Sequence, residues 1–176
     1  MTEVHAPLTR EAAEELRAGE EVLISGIIYT ARDAAHKKLS ELLQKGEALP
    51  IDLEDAVLYY AGPTPPPPGC SIGSCGPTTA SRMDRFTPRL LEEGLRGMIG
   101  KGHRSPEVVE AIAKNGAVFF AAEGGCGALL ARCVRRAEVI AFPELGTEAI
   151  RRLIVENFPA VVAVDAKGSV YNKWTI

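Results

Sequence analysis

The chain has 176 residues, a formal charge of −3 and one tryptophan, Trp174. That length suits one domain over 1–176 with a core of its own, and the mild acidity argues against general nucleic-acid binding, which rewards a basic surface. No apolar run approaches the ~20 residues of a membrane span, and the N-terminus lacks a basic-then-apolar leader, so a cytoplasmic protein is expected.

Leu8 to Leu16 predicts a short helix introduced by Thr9 and stopped at Ala18-Gly19. Val22 to Thr30 is β-rich and predicts a strand. Its end delivers Arg32, Asp33 and His36 into a helix running to about Leu43, with Ala34, Ala35, Leu39 and Leu42 on the apolar face. A charged trio at a strand-to-helix junction suits a functional site. Helix capping by Asp33 and a structural hydrogen bond from His36 are the competing readings. Val57 to Ala61 predicts another strand, after which Pro63 to Gly69 can only be a stiff, extended surface loop.

Gly76-Pro77-Thr78-Thr79-Ala80-Ser81-Arg82-Met83-Asp84 and Gly100-Lys101-Gly102-His103-Arg104-Ser105 carry the densest chemistry. A Gly-Pro turn followed by small hydroxyl residues offers donors and free N–H groups where a helix is expected to begin, a pattern that suits an anion. Arg82 lies one helical turn after Thr78, so the two are expected to face one ligand. Glycines flank Lys101 where backbone would approach a bound group, and its ammonium suits a carboxylate or phosphate. A capped helix with a Gly-rich turn would have the same spacing.

Phe86 to Gly94 reads as a helix with Pro88 near its start, and Arg96 to Ile99 as a short strand feeding the lysine loop. Ser105-Pro106-Glu107 starts a helix that runs through Ala113. Val118 to Ala122 is a buried strand. Gly124-Gly125-Cys126-Gly127 either wraps a ligand or packs closely on another backbone. Ala128 to Cys133 reads as helix, Glu138 to Phe142 as strand, Thr147 to Val155 as helix and Ala160 to Asp165 as a last strand before the Lys167-Gly168 turn. The alternation predicts an α/β domain with a buried sheet, and no repeat or second domain is visible. Cys70 and Cys75 are separated by Ser71-Ile72-Gly73-Ser74, and Cys126 and Cys133 lie far downstream, a spacing that fits no compact cluster motif.

Through Gly26 to His36, Gly76 to Asp84, Gly100 to Ser105, Phe119 to Gly125 and Glu144-Leu145-Gly146 to Asp165, the chain resembles the beta subunit of class I, iron–sulfur-dependent fumarate hydratases and the C-terminal domain of their single-chain forms. His103 departs from the Asn that this family more often carries. The related tartrate dehydratase beta subunit shares Arg-Asp-x-x-His and Gly-Pro-Thr-Thr but lacks the counterparts of Asp84, Arg104 and Ser105, which favours fumarate. The resemblance implies a swivelling β/β/α domain, with a mixed sheet flanked by helices. It implies a hydro-lyase of the tricarboxylic acid cycle interconverting fumarate and (S)-malate in a heterotetramer with beta–beta contacts. A [4Fe-4S] cluster is expected on the partner alpha subunit, with none of the four cysteines here as ligands. Thr78 is marked for proton transfer, with hydrogen bonding to substrate as its simpler role. Arg32, Arg82 and Lys101 are the cations suited to the substrate carboxylates and the charge that builds on them. Gly76, Thr79 and Arg104 join Arg32 as substrate-binding candidates, while Asp33 and His36 orient Arg32 or Lys101. L-tartrate dehydration, a carboxylate-binding module without chemistry, and an iron–sulfur carrier remain the alternatives.

Overall fold

Val4 and Ala6 are buried and their neighbours exposed, the period-two signature of strand β1 (Thr2–Ala6). It runs parallel beside β2 (Glu21–Thr30), and β3 (Val57–Tyr59), β4 (Gly97–Gly100) and β5 (Val118–Ala121) follow in parallel order. β7 (Ile150–Val164) is antiparallel to β5, to β2 and to β6 (Val134–Ala141). The computed structural model describes residues 1–172, so Trp174 lies outside the described residues.

Because β7 pairs with β2 as well as β5, strands β2, β3, β4, β5 and β7 form a closed ring, from which β1 and β6 extend. Curling the sheet into a ring needs bends, and paired irregularities supply them. The β2–β7 register shifts between Ile24 and Gly26, where Asn157 has φ 53° and donates its N–H to Ser25 Oγ at 3.0 Å. At Gly26 a Cβ would come within 2.1 Å of Ala6 O, so glycine alone fits where β1 crosses this bend.

Neighbouring strand residues point to two different cores. Tyr59, Ile99 and Phe120 fill the ring, while Tyr60, Met98 and Phe119 face a layer of helices outside it. Burial on both sides explains why these strands are apolar without alternation. The outer layer contains α2 (Asp33–Lys45), α3 (Thr87–Glu92) and α4 (Pro106–Asn115), whose Ala35, Leu90 and Ile112 belong to one cluster. Two shorter helices, α1 (Arg10–Glu15) and α5 (Gly127–Ala131), pack on the ring core through Ala13 and Leu130.

The mixed sheet flanked by helices is as expected, with a correction near the C-terminal end. Thr147 to Val155 is not a helix. A 3-10 turn, Pro143–Glu148, precedes the 15-residue strand β7. Ile150, Leu153 and Ile154 have helical spacing, but the β-branched run pairs with β2 on one edge and β6 on the other, which outweighs propensity. For the same reason β6 begins four residues before Glu138 and shortens the helix expected over Ala128 to Cys133. The proline tract folds back on itself, with Thr64 N–H donating to Ser74 O at 3.0 Å. Ser71 Oγ donates to Arg135 O at 3.2 Å, so this loop covers part of the outer edge of β6, where another strand could otherwise pair.

Candidate active site

Gly76 to Thr79 is not helical. Thr78 N–H donates to Tyr60 O (2.7 Å), Lys101 N–H to Thr78 O (3.1 Å) and Ala80 N–H to Lys101 O (2.8 Å). Thr79 and Lys101 thereby form an isolated parallel bridge, and a 3-10 turn, Ala80–Met83, follows. Thr78 and Arg82 therefore do not share one helical face as expected. What the backbone brings together is Thr78 and Lys101, the hydroxyl and the cation from the two separate motifs.

Glycines make this approach possible. A Cβ at Gly100 would lie 2.9 Å from Tyr60 Cδ2 and 3.2 Å from Ala80 Cβ. One at Gly124 would meet Lys101 Cδ at 3.2 Å and Nζ at 3.3 Å, so the lysine side chain lies across that glycine. Gly127 packs on the backbone of Gly76, with Gly76 N only 2.9 Å from where its Cβ would stand. The small-residue segment after β5 is thus a packing surface for both motifs. Thr79, Arg82, Lys101 and His103 are exposed, and Gly76 and Thr78 half-buried.

The junction after β2 supplies the other charges. Arg82 Nε donates to Asp33 Oδ1 at 2.8 Å, joining the hydroxyl-rich motif to the first turn of α2. Arg32 Nε stands 3.7 Å from Asp33 Oδ2 and 3.9 Å from Glu148 Oε1. That Glu148 oxygen also accepts from Ala34 N–H at 3.2 Å. Sequence reasoning missed Glu148, since even its nearer partner in sequence, Ala34, lies 114 residues away and no local pattern marks it.

Arg104 differs from expectation. Its side chain is wholly buried, with Nε donating to Asp84 Oδ1 (2.7 Å), Nη1 to Tyr60 Oη (3.1 Å) and Nη2 to Thr87 Oγ1 (2.7 Å), and Phe119 and Tyr60 rings beside it. Asp84 Oδ2 accepts from Ser105 N–H at 2.8 Å. A cation with its donors turned inward and no exposed surface positions the lysine loop rather than touching a ligand.

His36 is buried as well and cannot touch a ligand directly. Its Nδ1 lies 2.8 Å from Arg32 O, and since a carbonyl only accepts, Nδ1 carries the proton and Nε2 is a buried acceptor with no hydrogen-bond partner. Burial holds its pKa down from 6.5 to about 4; Arg104 adds to this, while the Arg32 carbonyl and Asp33 act against it. The ring is neutral at neutral pH. Its folded pKa is below its unfolded one, so the unfolded chain binds the extra proton and stability falls as pH drops from 6.5 towards about 4. The loss should approach about 3 kcal/mol at the acid end. Urea unfolding of wild type and His36→Asn across this window should show a flatter profile for the variant; equal slopes would remove His36 as the cause.

A groove of about 660 Å³ lined by residues including Met1, Glu21, Glu123, Leu129 and Cys133 contains no lysine or arginine and none of these site residues. A dicarboxylate is better matched by the cation-bearing loops. Among the described residues no group of three or more His, Cys, Asp and Glu side chains comes together to hold a metal, and burial pushes the Cys75 thiol up to about 12, away from the thiolate that a cluster needs. The described residues of this chain do not fit a cluster. No described helix is long and apolar enough to cross a membrane.

The family model described as Fumarase C-terminus matches residues 1–174. The chain belongs to the fumarase C-terminus family. It is 44% identical over 148 residues to an aerobic class I fumarate hydratase of Salmonella typhimurium, covering 83% of this chain and 26% of that enzyme. Fumarate hydratase 2 of Leishmania major is 39% identical over 167 residues, 93% of this chain and 29% of the enzyme. The chain therefore spans under a third of these two fumarases. A Methanocaldococcus jannaschii protein provisionally named L(+)-tartrate dehydratase subunit beta is 39% identical over 173 residues, with 94% of this chain and 89% of that protein covered. The relatives of this chain thus include one of similar length as well as much longer ones, in keeping with the resemblance read from the motifs.

Proposed function

We propose that this chain is the beta subunit of a cytoplasmic hydro-lyase interconverting fumarate and (S)-malate, working with an alpha subunit that holds a [4Fe-4S] cluster. The observation that carries the proposal is the backbone pairing of Thr78 with Lys101, with Arg82 of the same motif held by Asp33. In the malate-to-fumarate direction a C–H bond next to a carboxylate breaks, the C=C bond forms and the neighbouring hydroxyl leaves as hydroxide. Departure of the hydroxyl is left to the partner. Thr78 Oγ, as alkoxide, takes the proton and then passes it to the released hydroxide, giving water and restoring the alkoxide; in hydration the same transfers run in reverse and deliver the proton to the alkene carbon. An alkoxide is costly unless cations stabilise it, which Arg82 and Lys101 would do. The same cations and Arg32 bind the carboxylates and favour the charge that builds on them in the transition state. Gly76 and Thr79 line the approach, Asp33 and His36 hold Arg82 and the Arg32 backbone, and Arg104 anchors the lysine loop from below.

Dehydration of L-tartrate is the second reading, favoured by the match in length to the Methanocaldococcus jannaschii relative. Against it stands the Asp84, Arg104 and Ser105 clamp, made of the residues that set the fumarate pattern apart. The test is anaerobic reconstitution with a cluster-loaded alpha-type partner, assaying fumarate, malate and tartrate against each component alone. Fumarate–malate interconversion only in the mixture supports the proposal. Preference for tartrate moves the specificity, and no turnover with a loaded, bound partner leaves a carboxylate-binding module. Native mass spectrometry of the mixture reads whether a heterotetramer forms.

A further inference from the structure

We infer that Glu148 is the positioning residue for Arg32, setting the angle at which that arginine meets a substrate carboxylate; the inference rests on the hydro-lyase reading. Helix α2 begins with no side-chain cap of its own, since its cap position is Arg32 itself. The acceptor for Ala34 N–H, in the first turn, comes instead from Glu148 Oε1 at 3.2 Å. One carboxylate oxygen thus faces both the start of the helix and, 3.9 Å away, the Nε of the arginine that introduces it.

Arg32 is held without being used up. Its Nε lies between Asp33 Oδ2 and Glu148 Oε1 but hydrogen-bonds to neither, and both Nε and Asp33 Oδ2 are buried atoms with no partner. No side-chain hydrogen bond among the described residues uses a nitrogen of Arg32, so the two-pronged end of the guanidinium stays free for bidentate contact with a carboxylate. The stem is confined, since a Cβ on Gly62 would stand 3.2 Å from both Arg32 Cδ and Thr147 O. Two carboxylates fix the direction of the guanidinium by charge, while the Gly62 slot limits its movement.

Glu148 itself is on a braced turn. Arg151 donates from Nη1 to Thr147 O at 3.0 Å and from Nη2 to Gly146 O at 3.1 Å. Lys38 of α2 pairs with Glu144 at the other end of the same turn. The turn therefore docks on α2 at both ends, and Glu148 is a fixed reference for Arg32.

The test uses the reconstituted two-subunit assembly with Glu148→Ala, Glu148→Gln, Arg32→Ala and the Arg32→Ala/Glu148→Ala double variant. Glu148→Ala should raise KM for malate about 10-fold with a smaller change in kcat. Glu148→Gln keeps an oxygen for Ala34 N–H, so it should restore amide-exchange protection at Ala34 yet keep a raised KM. The double variant should be no weaker than Arg32→Ala alone, as expected for residues acting through one another. Wild-type KM in either Glu148 variant, or additive losses in the double variant, overturns the assignment. If Glu148→Ala does not fold, Glu148→Gln alone decides by its KM. A wild-type assembly that turns over neither fumarate, malate nor tartrate brings down the hydro-lyase reading and this inference with it, whereas an active wild type with unaffected variants overturns the role of Glu148 alone.

Discussion

Asp84→Ala is expected to lower the unfolding free energy by about 3–5 kcal/mol, the range for stripping one partner from a buried ion pair. Asp84 is the carboxylate against Arg104 Nε, and the Arg104 side chain has no solvent exposure. Without it the guanidinium keeps Tyr60 Oη and Thr87 Oγ1, both neutral, and its charge is uncompensated in an apolar setting of Phe119 and Met98. Ser105, the N-cap of α4, also loses the acceptor for its own N–H. Urea unfolding of the variant checks the size of the effect. Arg104→Met with Asp84→Ala should recover much of the loss, because an apolar pair of similar volume removes the buried charge as well. A single variant within 1 kcal/mol of wild type would mean that water reaches Arg104.

Thr78→Val should lower kcat of the reconstituted assembly by roughly 10²–10⁴-fold, the usual worth of a positioned proton-transfer group. KM should change little, because Val keeps the shape and the backbone pairing with Tyr60 and Lys101 does not depend on the side chain. A rise in KM at nearly constant kcat would instead give Thr78 the simpler role of hydrogen-bonding substrate. Loss of hydrogen–deuterium exchange at malate C3 in the variant, measured without following fumarate, separates proton transfer from departure of the hydroxyl.

Much of the fold could be read from the chain. Strands β2 to β5 and helices α2 and α4 have strong local patterns, and Ser105-Pro106 marks a helix start that the structure keeps, with Ser105 Oγ accepting from Val108 N–H. Ile150 to Val155 misleads because its apolar spacing suits a helix, while its actual form is set by two neighbouring strands that no local window contains. The site divides in the same way. The residue types in the two motifs suggest an anion site, but the Arg82–Asp33 contact spans 49 positions and the Glu148–Ala34 contact 114, so only the folded sheet reveals those contacts. Arg104 illustrates a further limit. A basic residue in a Gly-rich loop reads as a ligand contact, and only its burial against Asp84, Tyr60 and Thr87 shows it to be an anchor.

The closed ring also orders events during synthesis. Strands β1 to β5 and the Thr78–Lys101 pairing involve residues up to Ala121, so they can assemble on a nascent chain as an open, curled sheet. Its free edges on β2 and β5 stay unprotected until Arg152 to Val164 emerge and pair with Glu21 to Tyr29 and with Phe119 to Ala121. Such distant partners make the last step slow and leave an aggregation-prone interval. A ribosome-bound chain stalled before β7 should therefore need a chaperone, and one stalled beyond it should not.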